Sequence, residues 1–453
     1  MSFEAVIIVG LAVSLLVYIV LSEQPIWLAL LISGGVGIFL LRGSGVLMSS
    51  LGTLPFSATA KYSFLIIPMF VLMGVVASKA RLAEDVYAVA ERFSHRLPGG
   101  LAIATILACG GFAAVTGSSV ATVATIGRIA IEEMKKHGYR VAAAASIVAS
   151  GGTLGVLIPP SIILVVYGVL TGESIGRLLL AGVGPGLVSI MVYVLTIIVL
   201  YKRGFFTDKK SAAGRSQHAA APGRQSPARS LTASNYAGTG YIALIFFIVL
   251  GGLYSGFFTA TESGAVAAAL AVVVLLLRSA SSPAQFAGHF REAVAETAQL
   301  SSMIFALLIG GAVFTYFLVS SKLPMALVQM VTAVDVSAMT VLLLVLLAML
   351  VLGCFLDSLS ILVITIPLAY PVLKSLGIDG ILLGVLTVKA IEIGLVTPPV
   401  GLNVFVVSAA VPGLEPGAVF KAIWPMVIAD LIVIALLIIF PGIATALPNM
   451  MYG

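Results

Sequence analysis

Two pieces decide the reading of this chain: Gly353-Cys-Phe-Leu-Asp357-Ser358-Leu-Ser360, and further on Gly394-Leu-Val-Thr397-Pro398-Pro399-Val-Gly401-Leu-Asn403. The stretch that holds them, 353–405, is apolar enough to sit in a bilayer, yet Asp357, Ser358, Ser360, Thr397 and Asn403 interrupt it. A double proline removes two backbone donors and clashes with the preceding turn. In hydrocarbon the freed carbonyls need partners. Broken backbone therefore survives there only where it is buried in protein or lines a polar site. A half-helix that ends among hydroxyls and carbonyls is suited to holding an ion and a solute.

Composition sets the class. The 453 residues are 60% hydrophobic and 9% charged, and the mean hydropathy is +1.18. So little polar surface excludes a soluble fold of this size and predicts an all-α polytopic membrane protein. The apolar runs are of helix length, which excludes a barrel of short alternating strands. Cys109 and Cys354 both lie in apolar surroundings and read as buried thiols, with no disulfide framework or metal spacing.

The formal charge of +6 has one address. Residues 202–235 hold seven bases (Lys202, Arg203, Lys209, Lys210, Arg215, Arg224, Arg229) and one acid (Asp208), which is the whole excess, 7 − 1 = 6. One basic loop between apolar runs is a topology signal that keeps it in the cytoplasm. Nucleic acid is not implied. Its Ala, Ser, Gly and Pro content predicts disorder. Residues 5–21 lack a basic leader and are followed by Ser22-Glu23-Gln24, so a retained first helix is expected.

Taken in order, helices fit at 5–21, 25–41 and 63–78. Residues 79–98 are charged on one face and predict an interfacial helix, on the cytoplasmic side by its Lys79, Arg81, Arg92 and Arg96. Residues 99–134 are broken at Thr116-Gly117-Ser118-Ser119 and flanked by basic residues at both ends, which predicts a re-entrant hairpin with its polar tip at depth. Residues 141–170 cross with a break at Gly155 and Pro159-Pro160. After helices at 178–200, 240–257 and 262–278 comes a second interfacial stretch at 283–298, then a crossing at 300–319. A second hairpin fits 338–373, a second broken crossing 380–411 and a last helix 423–440. The domains expected are 1–98 (scaffold and arm), 99–175 (transport, first hairpin and broken helix), 176–298 (scaffold, basic loop and second arm), 299–411 (transport, second hairpin and broken helix) and 412–453 (C-terminal helix).

The halves overlay as inverted repeats. Gly138, Gly155, Pro159 and Pro160 match Gly377, Gly394, Pro398 and Pro399 at one offset, 398 − 159 = 239. The hairpins match as Gly111 to Ser118 against Gly353 to Ser360, an offset of 353 − 111 = 242. Paired interrupted segments in two inverted halves point to a transporter's binding site.

These residues resemble the large membrane subunit, of the DctM type, of tripartite ATP-independent periplasmic (TRAP) transporters. The resemblance rests on Gly117-Ser118-Ser119, Gly155-Val-Leu-Ile158-Pro159-Pro160-Ser161, Gly182-Val-Gly184-Pro185-Gly186, Phe258-Thr-Ala-Thr-Glu262, Gly353 to Asp357 and Gly394 to Gly401. It spans about 5–440 without the basic loop. Ala260 stands where this family often has Pro. The resemblance implies a multi-pass protein of the bacterial inner membrane that works as an elevator-type transporter. It would import by sodium symport a small organic acid such as a C4-dicarboxylate. It also implies two partners, a small four-helix membrane subunit and a periplasmic substrate-binding protein.

For the coupling sodium ions, hard cations that prefer oxygen, the expected ligands are carbonyls of Gly394, Thr397 and Pro399 with Ser118 or Ser119 and Ser358. Pseudo-symmetry predicts a second site at Gly155, Ile158 and Pro160. The prolines would otherwise only shape a packing kink. Ser118, Ser119, Asp357, Ser358 and Asn403 are the candidates for the solute. Ser118 and Ser119 could instead bond their own helix. Asp357 is costly in a membrane and so marks a cavity, but it would equally cap the helix that starts at Ser358. Asn403 would touch solute or only pack. Lys389 and Glu392, at i and i+3, are expected to pair on one helix face; alternatively Lys389 attracts a carboxylate. Thr259 to Glu262 reads as a structural capping box, Arg128 as a snorkelling residue, and Asp430 has no visible partner.

Three rivals remain. A stand-alone sodium/dicarboxylate carrier would need no binding protein. An intramembrane enzyme would need a nucleophile and base at depth, but His95, His137, His218 and His289 all fall near loops or interfaces. A channel fits poorly with two oppositely oriented broken repeats. No phosphate-binding loop suggests use of nucleotide energy.

Overall fold

The computed structural model describes residues 3–206, 231–280, 282–333 and 336–452. Most of the basic loop, with Asp208, Lys209, Lys210, Arg215, Arg224 and Arg229, lies outside them. The described residues are helical, without strands. The first half runs α1 (Phe3–Leu21), α2 (Ile26–Arg42), α3 (Ser44–Thr59), a 3-10 turn (Tyr62–Leu65), α4 (Ile66–Lys79), α5 (Leu82–Ser94), α6 (Gly100–Thr116), α7 (Ser119–Lys136), α8 (Val141–Gly152), α9 (Leu154–Leu157), α10 (Ile162–Thr171) and α11 (Ile175–Lys202). The second runs α12 (Ala233–Tyr254), α13 (Ala260–Arg278), α14 (Pro283–Ser320), α15 (Leu323–Ala333), α16 (Ala338–Gly353), α17 (Ser358–Ser375), α18 (Gly380–Gly394), α19 (Leu402–Ala409), α20 (Pro416–Ile439) and α21 (Gly442–Tyr452). Eight helices among the described residues are long and apolar enough to cross a membrane. A ninth crossing is made if α8–α9 and α10, bent by 44° at the first double proline, count as one. Leu11, Leu187 and Phe247 are among the large apolar side chains left exposed on these helices, as a hydrocarbon surround requires.

One register relates the halves. Ser118 caps α7 and Asp357 caps α17 (357 − 118 = 239). Arg140 precedes α8 and Asp379 precedes α18 (379 − 140 = 239). The offset of 242 expected for the hairpins is therefore corrected to 239: the equivalent of Asp357 is Ser118, and that of Ser358 is Ser119. The sequence match chose like residues, whereas the start of a helix is set by its cap.

The same register corrects the second interfacial stretch. Residues 283–298 do not form a separate interfacial helix followed by a crossing; α14 is continuous from Pro283 to Ser320. Its first part corresponds to α3, which the sequence reading passed over (283 − 44 = 239). In the first half the run is broken by the 3-10 turn. Pro68 stands just past that turn, in the first turn of α4, where a proline is tolerated; its equivalent at 68 + 239 = 307 is Leu307, inside the unbroken α14. α5, expected as an interfacial helix, buries Leu82, Val86, Tyr87 and Ala90 and packs on α6 and α12. Its Asp85 accepts from Arg278 and from Asn235 Nδ2, the latter at 2.9 Å.

The halves exchange partners. α2 lies along α14, α13 along α4, and α4 against α14. A Cβ on Gly34 would fall 2.7 Å from the backbone of Phe314, and one on Gly310 2.2 Å from the Trp27 carbonyl. Backbones this close are how helices attract each other where lipid offers no hydrophobic contrast. α10 packs on α17 and α19 on α7, so each broken crossing also touches the other half's hairpin. α11 lies against α6, α9, α10 and α18, and α20 against α8, α18 and α19.

Candidate functional site

Both hairpin loops open on one cavity of about 690 Å³. At the first, Gly117 adopts φ +58, and a Cβ there would meet the Pro160 carbonyl at 2.5 Å. Ser118 then caps α7, its hydroxyl accepting from the Ala121 amide at 3.4 Å. At the second, the Asp357 carboxylate accepts from the Ser360 amide at 3.2 Å and from the Ser360 hydroxyl. Thr116 to Ala121 and Asp357 to Ser360 line the cavity together with residues of α2, α4 and α14. Two helix N-termini with their partial positive charge thus face one space. Among the described residues that line it there is no Lys or Arg; its charged side chains are Asp357 and Glu296. The polar groups this lining offers a solute are hydroxyls, backbone amides and helix ends, beside two carboxylates.

A second polar layer lies behind the tips. Ser358 donates to Glu392 Oε1 at 2.8 Å. Asn403 Nδ2, from α19 of the second half, donates to Ser119 Oγ at 2.7 Å and reaches the Ala149 carbonyl at 3.4 Å. Lys389 pairs with Asp430 of α20 and lies over the Tyr193 ring at 5.3 Å. The Tyr193 hydroxyl donates to Asp430 Oδ1 at 2.5 Å and lies 2.9 Å from Thr153 Oγ1. Lys389, Glu392, Asn403 and Asp430 are at most 1% exposed. Glu392 Oε2, Asn403 Oδ1 and Asp430 Oδ2 are buried without a hydrogen-bond partner.

The expected pair of Lys389 with Glu392 is thus not made. They sit one turn apart, but the ammonium leans to Asp430 on α20 and the carboxylate to Ser358 on α17. Glu392 and Asp430 are equally buried, so burial does not choose between them; the ammonium takes the carboxylate that packing brings into contact, and Ser358 engages the other.

Of the expected site residues, Ser118, Ser119, Asp357 and Ser358 come together at the cavity. Asp357 caps a helix and faces the cavity, so both of its expected roles have their geometry. Asn403 is buried behind Ser119 and does not line the cavity. Gly394 packs on Gly353: a Cβ on Gly394 would lie 2.5 Å from the Gly353 Cα. The Gly394 carbonyl accepts the Thr397 amide at 3.0 Å, and the Thr397 hydroxyl is given to the Ile393 carbonyl at 2.6 Å. Pro399 is exposed. Gly155 backs onto the Ser118 carbonyl, 2.6 Å from its would-be Cβ, and Ile158 packs on Gly186, while Pro160 lies against Gly117. None of Gly394, Thr397, Pro399, Gly155, Ile158 and Pro160 lines the cavity; they stand behind the tips. Thr259 and Glu262 form the expected capping box, with the Thr259 amide donating to Glu262 Oε2 at 2.8 Å. The residues missed are Glu392 and Glu296. An acid inside an apolar, glycine-ended helix was the available signal for Glu392, and the nearby lysine masked it.

A sequence model of the family described as "Tripartite ATP-independent periplasmic transporter, DctM component" matches residues 6–443. The C4-dicarboxylate TRAP transporter large permease protein DctM of Pseudomonas aeruginosa is 36% identical over 92% of this chain and 93% of its own. The isethionate TRAP transporter permease protein DctMQ of Oleidesulfovibrio alaskensis is 31% identical over 86% of this chain and 60% of its own. Among solved structures, the Alcanivorax borkumensis YdaH transporter superposes with a TM-score of 0.63, at 16% identity, over 89% of this chain and 90% of that one. That likeness concerns the fold.

Proposed function

We propose, from the premise that this chain belongs to the DctM component family of tripartite ATP-independent periplasmic transporters, that it is the sodium-coupled, solute-carrying subunit of an importer for a small organic acid. It is a multi-pass membrane permease subunit, not an enzyme. The C4-dicarboxylate in the name of its Pseudomonas relative and the isethionate in that of its Oleidesulfovibrio relative are both small organic anions; of these a C4-dicarboxylate is the solute proposed here.

The observation that carries the reading is the meeting of two hairpin tips from opposite halves at one cavity. Ser118, Ser119 and Ser358 would give hydroxyls to the solute, and the N-termini of α7 and α17 would favour its carboxylates. Sodium would take carbonyl oxygens at the breaks, from Gly394, Thr397 and Pro399 with Ser118 or Ser358, and from Gly155, Ile158 and Pro160 in the other half. Two carboxylates at a cavity without a basic side chain support a cation-dependent anion site: each bound sodium removes repulsion that the solute would otherwise meet.

In this reading the hairpins are re-entrant and move across the bacterial inner membrane with the broken crossings, in an elevator motion. α11 and α20 would travel with them, because the Lys389–Asp430–Tyr193 contact ties both to the moving core; this reassigns α11, first placed in the scaffold. A small four-helix membrane subunit would brace the scaffold, and a periplasmic binding protein would deliver the solute.

The test is uptake of radiolabelled succinate by proteoliposomes holding this chain and its small subunit, with and without binding protein, under sodium or potassium gradients. Uptake that needs sodium and the binding protein is expected. Sodium-driven uptake without the binding protein would identify a stand-alone carrier. Uptake on a proton gradient without sodium would overturn the ion assignment.

A further inference from the structure

Behind the cavity, the buried charges do not balance. Glu392 and Asp430 are two carboxylates; Lys389 is one ammonium, and it is bound to Asp430. Glu392 has Oε1 on Ser358, and its carboxylate is within reach of the Ser119 hydroxyl, but Oε2 has no hydrogen-bond partner. An isolated buried carboxylate costs several kcal/mol after relaxation unless something compensates it. Among the described residues, Lys389 is the cation that acts on Glu392, and it is bound elsewhere. The neighbourhood of Glu392 supplies oxygen. Asn403 Oδ1 is likewise buried and undonated, and Asn403 shares Ser119 with the cavity wall through its amide nitrogen. The Ala149 carbonyl lies 3.4 Å from that same amide nitrogen.

We propose that Glu392 and Asn403 form a sodium site behind the cavity floor, with the hydroxyls of Ser119 and Ser358 between ion and solute. Carboxylate, amide, hydroxyl and peptide oxygens are the ligand set of a hard cation. A divalent ion is disfavoured, since no group of three or more His, Cys, Asp or Glu side chains comes together among the described residues. A solute ammonium is disfavoured too, because Glu392 does not line the cavity: Ser119 and Ser358 do, and they stand in front of it. The site couples ion to solute through one hydroxyl. With no ion, the Ser358 hydrogen is spent on Glu392; with sodium on the carboxylate, that hydrogen is free for an anion in the cavity.

This inference rests on the sodium-driven reading and adds ligands that the proline breaks do not contain. The experiment is thermal unfolding of the full chain with its small subunit, titrated with NaCl against choline chloride at constant ionic strength. The parent is expected to gain stability with sodium. Glu392→Gln, which removes the excess charge and keeps the shape, is expected to melt at or above the parent without sodium. Its sodium midpoint should rise by at least the roughly 10–100-fold that losing an outer partner costs a metal site. Asn403→Ala keeps every charge and should raise the midpoint as well, which decides the matter if Glu392→Gln does not fold. Midpoints equal to the parent's in the folded variants would overturn this site and leave sodium coupling standing. A parent indifferent to sodium would overturn the coupling, and this site with it.

Discussion

The two proline breaks share a backbone plan and little else. In the first, residues 155–160 are all buried. In the second, Thr397 and Pro398 are half-buried and Pro399 and Val400 exposed. The turn before each break differs more. The register that pairs Pro159 with Pro398 pairs Ser150 with Lys389 (389 − 239 = 150) and Thr153 with Glu392 (392 − 239 = 153). Both hydroxyl residues of the first half are replaced by charges in the second. A repeat duplicates helix lengths and breaks because these are backbone properties. Charge at depth is a property of one site, and a bilayer tolerates it only where partners meet it.

The sharpest way to break that comparison is to remove the charge. Lys389→Met leaves Asp430 without its counter-charge and is expected to destabilise by about 3–5 kcal/mol, read as a fall in the unfolding midpoint. Ser150→Ala, the equivalent place, removes a buried hydroxyl that has no partner and should be neutral or slightly stabilising. The double variant Lys389→Met with Asp430→Leu should recover most of the loss. Equal effects at 150 and 389 would mean that the ion pair is incidental to the second half.

The backbone side of the comparison predicts equality instead. A Cβ on Gly394 meets the Gly353 Cα at 2.5 Å, and one on Gly155 meets the Ser118 carbonyl at 2.6 Å. Neither neighbour is the loose end of a side chain. Gly394→Ala and Gly155→Ala should each cost about 1–3 kcal/mol by overpacking. A large loss at one and none at the other would show that only one tip is held by its break.

The smallest effect concerns the seam between the halves. Glu173, in the loop before α11, accepts from Tyr370 at 2.6 Å and from Lys374 at 3.0 Å, both on α17. Burial pushes its carboxyl up, but these hydrogen bonds, with the charges of Lys374 and Arg177, outweigh burial and hold it below its ordinary value of 4.5. A carboxyl lowered in the fold stabilises above its unfolded pKa and loses that contribution as pH falls through the folded one. Glu173→Gln should therefore melt slightly below the parent at pH 7, by about 0–1 kcal/mol given the half-exposed lysine. The difference should shrink below pH 4.5. A difference constant with pH would mean that the contact is steric.

Much of this molecule was legible without a structure, and the rest was not, for one reason. Helix lengths, caps, glycine turns and proline breaks are local. Apolar runs therefore placed most of the helices within a few residues, and Thr259 announced its own capping box. The order Ser118, Ser119 and Asp357, Ser358 identified the tips that share the cavity. What failed depended on contacts between distant segments. Matching Gly111 with Gly353 paired like residues three positions out of register, because composition does not say where a cap sits. Residues 44–59 are a helix that their Ser, Gly and Thr content hid, and the partner of Asp85 within 79–98 is Arg278, which comes from another segment. Lys389 and Glu392, neighbours in the chain, found different partners on α20 and α17. The amino-acid sequence by itself determined a helical membrane protein of two broken, matching halves. The tertiary structure alone decided which buried groups meet, since a charge withdrawn from water takes the partner that packing brings within reach, and packing joins residues as far apart as Ser119 and Asn403.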